Sequence, residues 1–196
     1  MNQTVHFAGI SGSLRKASYN TALLRTIRDE LLPGDTTMEL FSLQDIPLYN
    51  ADFDTPEALN RPVEVQLLRK ALEKADGLVI VSPEYNYGIP GLLKNAIDWA
   101  SRGEDSPLLH KPVAVMGVTP GMWGTVRMQL AFHPIFQYLN MKPVYKPEVL
   151  VAQAKTKFDA EGKFKDAAAR KLIGQQLQAL KELVLQERAG KELSVG

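Results

Sequence analysis

The stretch Gly12-Ser13-Leu14-Arg15-Lys16-Ala17-Ser18-Tyr19-Asn20-Thr21 gathers short hydroxyl and amide side chains around one arginine, directly ahead of a run with helical period. A phosphate is held by several short donors, by the unpaired N–H groups and positive dipole end of a helix start, and by a planar cationic fork. Ser13, Arg15, Ser18, Asn20 and Thr21 together supply that set. An ordinary N-cap, with Ser18 or Asn20 satisfying the first turn, accounts for one of these residues and not the rest. Phosphate binding is therefore the expectation. Neither the G-x-G-x-x-G of a dinucleotide site nor the G-x-x-x-x-G-K-[ST] of a P-loop is present here.

A second unusual segment reads Ser82-Pro83-Glu84-Tyr85-Asn86-Tyr87-Gly88-Ile89-Pro90-Gly91. Its prolines and glycines fix the backbone in a turn, with Tyr85, Asn86 and Tyr87 around exposed N–H groups. A flat heteroaromatic ring would find π faces and in-plane hydrogen bonds there. A rigid turn whose tyrosines pack on neighbouring helices, or at a subunit contact, has the same composition, and residue types leave both readings open. His6, His110 and His133 show neither HExxH nor paired spacing, so no metal site is expected, and His6 reads as a strand residue with a satisfied ring. There is no G-x-S-x-G elbow, and Ser11 and Ser13 lack an evident Asp/His pairing, which argues against a hydrolase. Trp99 is expected in the core and Asp98 at solvent or an interface.

These loops must be positioned by regular elements. Five β-rich runs are predicted: Val5–Ile10, Met38–Leu43, Gly77–Ser82, Pro112–Thr119 and an edge-like Val144–Val151 containing Pro147. Between them, Leu23, Leu24, Ile27 and Leu31 mark a first helix ended by Pro33-Gly34, and Leu67, Leu68, Ala71, Leu72 and Ala75 mark a second. A third covers about Gly91–Ser101, with Pro90 suited to its start. A fourth runs from about Thr125 to Leu139, with a kink or early turn expected at Pro134. Ile173, Leu177, Leu180 and Val184 line a last helix, after a surface excursion over Gln153–Lys165, and the tail after Ala189 is expected to fray. Alternating strands and helices imply a parallel sheet with helices on both faces. Ligands bind such sheets outside the carboxyl ends of the strands, where the order switches, and both unusual loops fall there.

The 196 residues suit one domain. With 45% hydrophobic and 23% charged residues the chain reads as ordinary globular protein rather than a disordered or collagenous one. Lys+Arg is 23 against Asp+Glu 22, a net charge of +1, which argues against bulk electrostatic binding of nucleic acid or an anionic membrane. The absence of cysteine excludes disulfides, thiolate nucleophiles, Cys-ligated zinc and iron–sulfur clusters, so redox chemistry would fall to a bound organic cofactor. Met1–Ser11 lacks the pattern of a signal peptide, and no window approaches the ~18 apolar residues of a membrane span. A soluble, cytoplasmic, single-domain protein without membrane insertion is expected.

SGSLRKASYN, VSPEYNYGIPGLLKNAIDWAS and TPGMWGTVRMQ, in order within a stretch from about Thr4 to Leu185, resemble the NADPH-dependent FMN reductase family of flavodoxin-like quinone, chromate and azo-dye reductases. The resemblance implies an α/β, flavodoxin-like three-layer sandwich with a five-stranded parallel sheet in the order 2-1-3-4-5, forming one FMN-binding domain over 1–196. It implies that Ser13, Arg15, Ser18, Asn20 and Thr21 hold the FMN phosphate. Pro83, Glu84, Tyr85, Asn86, Tyr87 and Gly88 would lie along the isoalloxazine edge, and Thr119, Pro120 and Gly121 would close the pyrimidine side. Where the family usually has two glycines before its arginine and glutamine, this chain has Gly124-Thr125 preceded by Trp123. That departure bears on acceptor preference: Trp123 either narrows or lines the acceptor pocket, or packs on a neighbouring subunit. Of three roles open to Arg127 (FMN contact, inter-subunit ion pair, solvated charge) the resemblance favours the interface.

The implied activity is two-electron reduction of quinones or similar small acceptors, including chromate and azo compounds. NADPH or NADH is the donor, and ping-pong hydride transfer through FMN involves no dedicated catalytic side chain. The resemblance also implies a homodimer or homotetramer. The alternative is a non-enzymatic flavodoxin-type electron carrier, against which stand the +1 charge and the loop GSLRKASYN. An FMN-free binding relative is a further alternative, against which the intact first loop stands.

Overall fold

A computed structural model describes residues 4–54 and 60–194 of the chain. Strands β1 (Val5–Ser11), β2 (Thr36–Phe41), β3 (Gly77–Val81) and β4 (Pro112–Val118) form the body of one sheet, and two short strands, β5 (Lys142–Pro143) and β6 (Leu150–Val151), complete it. The order is β2-β1-β3-β4-β5, with β6 also on β4 and every pairing parallel, as expected for this flavodoxin-like α/β sandwich. All residues of β3 and β4 are buried, which is why their sequences are unbroken apolar runs rather than alternating ones.

The two-residue period of the strands divides the core into two layers. Val5, Phe7, Val79, Val81, Ala114 and Met116 face helices α1 (Tyr19–Thr26) and α6 (Ala167–Ser194). Ala8, Ile10, Leu78, Ile80, Val113 and Val115 face α2 (Val63–Lys74), α3 (Gly91–Ala100), α4 (Val126–Ala131) and α5 (His133–Tyr138). On α6, Ile173, Leu177 and Leu180 are wholly buried and Val184 nearly so, each side chain contributing about 1.5–3 kcal/mol of burial. The helix continues past Ala189, where fraying was expected. Trp99 sits in the core, its indole N–H donating to the Pro47 carbonyl at 2.8 Å, and Asp98 pairs with Lys94 at 2.5 Å.

Several elements depart from the sequence-based expectation. β2 begins at Thr36, two positions before Met38, paired with Val5. In α2 the buried stripe is Val65, Leu68 and Leu72, while Leu67 points outward and is half exposed. The first helix widens into a π-turn (Ile27–Leu31) just after Thr26, whose hydroxyl donates back to the Ala22 carbonyl and accepts from Phe164 N–H. The expected fourth helix is two helices meeting at Phe132, with Pro134 in the first turn of α5. The expected fifth strand is broken: Val144 N–H still donates to the Val113 carbonyl, but the ladder stops ahead of Pro147, which cannot donate to it, and resumes only at Leu150. Two side-chain amides occupy carbonyls in the gap instead: Gln129 donates to Val149 and Gln176 to Pro147. The predicted surface excursion over 153–165 is anchored inward, with Phe158 bridged to Phe164 and Phe164 wholly buried.

Candidate active site

The loops after β1, β3 and β4 are drawn together at the carboxyl ends of the strands. Gly12 N–H donates to the Val81 carbonyl at 3.0 Å, and Ser82 N–H to the Met116 carbonyl at 3.0 Å. Glycine is required for this closeness. A Cβ on Gly12 would stand 2.1 Å from Ser82 Oγ, and one on Gly117 would stand 2.2 Å from the Ser82 carbonyl oxygen. Beyond the end of β3, the buried Asn20 side chain takes the place of a neighbouring strand. Its amide donates to the Val118 carbonyl and its oxygen accepts from Val118 N–H, both at 2.9 Å. The other side of the β4 terminus is paired through Thr119 N–H to the Val151 carbonyl.

This framework shapes the first loop into a cradle of donors. Ser18 is the N-cap of α1, its hydroxyl accepting from Thr21 N–H at 3.3 Å. Ser13 Oγ accepts from Arg15 N–H, and the Thr21 hydroxyl lies 2.8 Å from Ser11 Oγ. Among the described residues, the backbone N–H groups of Leu14, Lys16, Ala17, Tyr19 and Asn20 meet no protein acceptor, and neither do the side chains of Arg15 and Lys16. Five free N–H groups and two cations at a helix start are the donor set that a phosphate dianion needs. Asn20 and Ser18 act differently from the sequence expectation. Their side chains hold β4 and the first turn, leaving the Asn20 backbone N–H available to an anion.

In the second loop, Tyr85 and Gly88 exchange backbone hydrogen bonds at 3.0 and 3.2 Å around Asn86 and Tyr87, both with left-handed φ (49° and 64°). That is the pattern of a type I′ turn, and it is costly for a tyrosine. The turn throws its tyrosines outward: Tyr85 is 50% and Tyr87 72% exposed, and the helix contact that Tyr87 makes is with the Arg127 side chain of α4. Glu84 turns inward instead, and its nearly buried carboxylate accepts from Arg127 N–H (3.0 Å), Met128 N–H (3.2 Å) and Arg127 Nε (2.5 Å). It thereby joins the turn to the start of α4. The Arg127 guanidinium lies over the Tyr87 ring at 3.9 Å and within 5.5 Å of Trp123. Arg127, expected at an interface, thus has firm partners inside its own chain.

Between the second and third loops lies a cavity of about 490 Å³ walled by Glu84, Asn86, Tyr87, Thr119, Gly121, Trp123, Thr125 and Arg127. The third loop is pinned by Gly121 N–H on Thr119 Oγ1, Ala154 N–H on the Thr119 carbonyl and Gln153 N–H on the Gly121 carbonyl. Pro120 lies exposed between them. Pro83 receives the Ser82 hydroxyl at its carbonyl. Sequence reasoning missed Ser82, Gly117 and Thr125, the last wholly buried at φ 70°. The signal for Gly117 was a glycine inside an otherwise apolar strand, which marks close backbone approach. Among the described residues, no three His, Cys, Asp or Glu side chains gather closely enough to hold a metal ion.

A doubly wound sheet with a cluster of unpaired N–H donors after β1 and an aromatic-rimmed cleft beside it, at the switch in strand order, defines a flavodoxin-like protein. The chain belongs to the NADPH-dependent FMN reductase family, which its residues 5–156 match. It is 44% identical over 180 residues to an NAD(P)H-dependent FMN reductase of Pseudomonas aeruginosa, covering 92% of this chain and 95% of that protein. It is 39% identical over 162 residues to a quinone reductase of Escherichia coli, covering 82% and 85% of the two chains. Among solved structures, the FerB flavoenzyme NAD(P)H:(acceptor) oxidoreductase of Paracoccus denitrificans superposes with a TM-score of 0.81 at 29% identity, covering 93% of this chain and 98% of that one.

Proposed function

We propose that this chain binds FMN across the loops after β1, β3 and β4 and reduces quinones or similar small acceptors, chromate and azo compounds included, with electrons from NADPH or NADH. The observation that carries the reading is the set of unpaired N–H groups with Arg15 at the start of α1, next to the cleft rimmed by Tyr87 and Trp123. FMN, when bound, supplies the two-electron redox chemistry. Ser13, Arg15 and the N–H groups around Ser18, Asn20 and Thr21 hold the phosphate. Pro83, Glu84, Tyr85, Asn86, Tyr87 and Gly88 lie along the ring edge, and Thr119, Pro120 and Gly121 close the pyrimidine side. Backbone N–H groups of these turns stabilise negative charge without reorganising, because hydrogen bonds already fix both loops. Tyr87 and Trp123 limit water at the mouth.

One cleft must serve donor and acceptor in turn, so initial-rate plots are parallel; intersecting lines would overturn this alternation. The chain works as one domain, as a homodimer or homotetramer, in the cytoplasm. Among the described residues, no helix is long and apolar enough to cross a membrane. The test is an anaerobic visible spectrum of the FMN-reconstituted protein before and after NADPH or NADH. Bleaching that recovers with a quinone supports the reading. Flavin that binds but is bleached by neither nucleotide points to an electron carrier, and failure to bind flavin refutes the cradle.

A further inference from the structure

The wall of the cleft carries a cation whose bonding is half used. Arg127 spends its Nε on Glu84, while its terminal amino groups, Nη1 and Nη2, have no protein partner among the described residues. The pair is asymmetrically buried: the Glu84 side chain is 8% exposed and that of Arg127 34%. Glu84 also accepts two backbone N–H groups at the start of α4, so its charge is shared with the backbone behind it. The guanidinium lies over the Tyr87 ring at 3.9 Å, and Arg127 lines the cleft with two donors of a planar fork uncommitted within the chain. Trp123 and Tyr87, 65% and 72% exposed, offer ring faces beside that fork.

We propose that Arg127 sets acceptor specificity, its free amino groups taking the negative charge of an aromatic monoanion whose ring rests against Tyr87 and Trp123. The inference rests on the reading of this cleft as the acceptor pocket, and it names the class of acceptor favoured: ring compounds carrying a carboxylate, sulfonate or ionised hydroxyl, ahead of neutral rings of the same shape. Glu84 is a positioning residue here, fixing the guanidinium so that little side-chain freedom is lost when the anion arrives.

The test uses a matched pair of redox-inert rings, 2-naphthoate and 2-naphthamide, with calorimetry on the protein with and without added FMN. A charge-assisted hydrogen bond to arginine predicts about tenfold or greater preference for the carboxylate in the unmodified protein. Arg127→Gln abolishes the preference and Arg127→Lys restores part of it. Raising salt from low to high ionic strength weakens the carboxylate and leaves the carboxamide unchanged. Equal affinity for the two rings, a preference that survives Arg127→Gln, or one indifferent to salt would each overturn the proposal. Should the glutamine variant not fold, Arg127→Lys and the salt series decide. No turnover is involved, so a protein that discriminates the rings yet is not bleached by NADPH or NADH would refute the reductase reading and keep Arg127 as an anion selector.

Discussion

Replacing Asn20 by alanine strips Val118 of both hydrogen-bond partners at once. The Asn20 amide bonds the N–H and the carbonyl of Val118 at 2.9 Å each, in a place where β3 has already ended and no strand can take over. Asn20 is 4% and Val118 1% exposed, so water reaches neither group easily. Leaving one buried backbone group unsatisfied costs about 1–3 kcal/mol; two such groups, partly relieved by relaxation, set the loss at about 3 kcal/mol. Asn20→Asp is the sharper variant. Its carboxylate can still accept from Val118 N–H but faces the carbonyl with no donor and brings a charge into a buried position, so it destabilises at least as much as alanine. Urea unfolding of the flavin-free proteins measures both, with an unchanged m-value showing that the unfolded state is the same. A loss under about 1 kcal/mol for Asn20→Ala, or Asn20→Asp more stable than Asn20→Ala, would refute the argument that this amide substitutes for a strand.

Arg15→Ala, by contrast, leaves folding untouched within about 0.5 kcal/mol, because the exposed guanidinium has no protein partner, yet weakens FMN by about 1.5–3 kcal/mol; flavin fluorescence titration reads this out. Gly12→Ala drives a methyl to within 2.1 Å of Ser82 Oγ and costs about 1–3 kcal/mol, and it lowers FMN affinity as well by prising the first and second loops apart. Asp166 caps α6 by accepting from Ala169 N–H at 2.8 Å, and a hydrogen bond from Lys157, with that cap behind it, holds its carboxyl below the ordinary 3.8. A depressed carboxylate contributes stability above 3.8 and loses it as pH falls through the lowered value. Asp166→Ala therefore costs about 1 kcal/mol at pH 7, and the gap to the unmodified protein closes in acid below that range.

A parallel sheet covered on both faces was legible because Gly77–Val81 and Pro112–Val118 are unbroken apolar runs, whereas the strand order came from the family resemblance and not from those runs. The cluster of donors in the first loop was legible because hydroxyls, amides and arginine crowd together there ahead of a helix. Pairings between loops were not. Asn20 reads like a phosphate ligand until its partner, 98 residues away, is seen, and Glu84 reads like a ring-edge residue until it meets Arg127, 43 residues on. Short polar side chains serve a ligand and a distant backbone equally well, and spacing along the chain does not reveal which. Leu67 failed for a local reason: a stripe through Val65, Leu68 and Leu72 and one beginning at Leu67 differ by a small rotation of the helix.

The broken fifth strand has a consequence for how copies of this chain meet in the crowded state in which it is made. An unbroken strand over 144–151 would present a row of unpaired N–H and C=O groups along one side of the sheet, a template onto which a strand of another molecule could add. Two dipeptide strands separated by proline offer no such row, and the Val149 and Pro147 carbonyls are already taken by glutamine side chains. Contact between molecules at this side must then proceed through side chains, whose fit is selective, rather than through backbone pairing, which any extended segment can supply. The interruption closes this edge of the sheet, opposite β2, to backbone pairing.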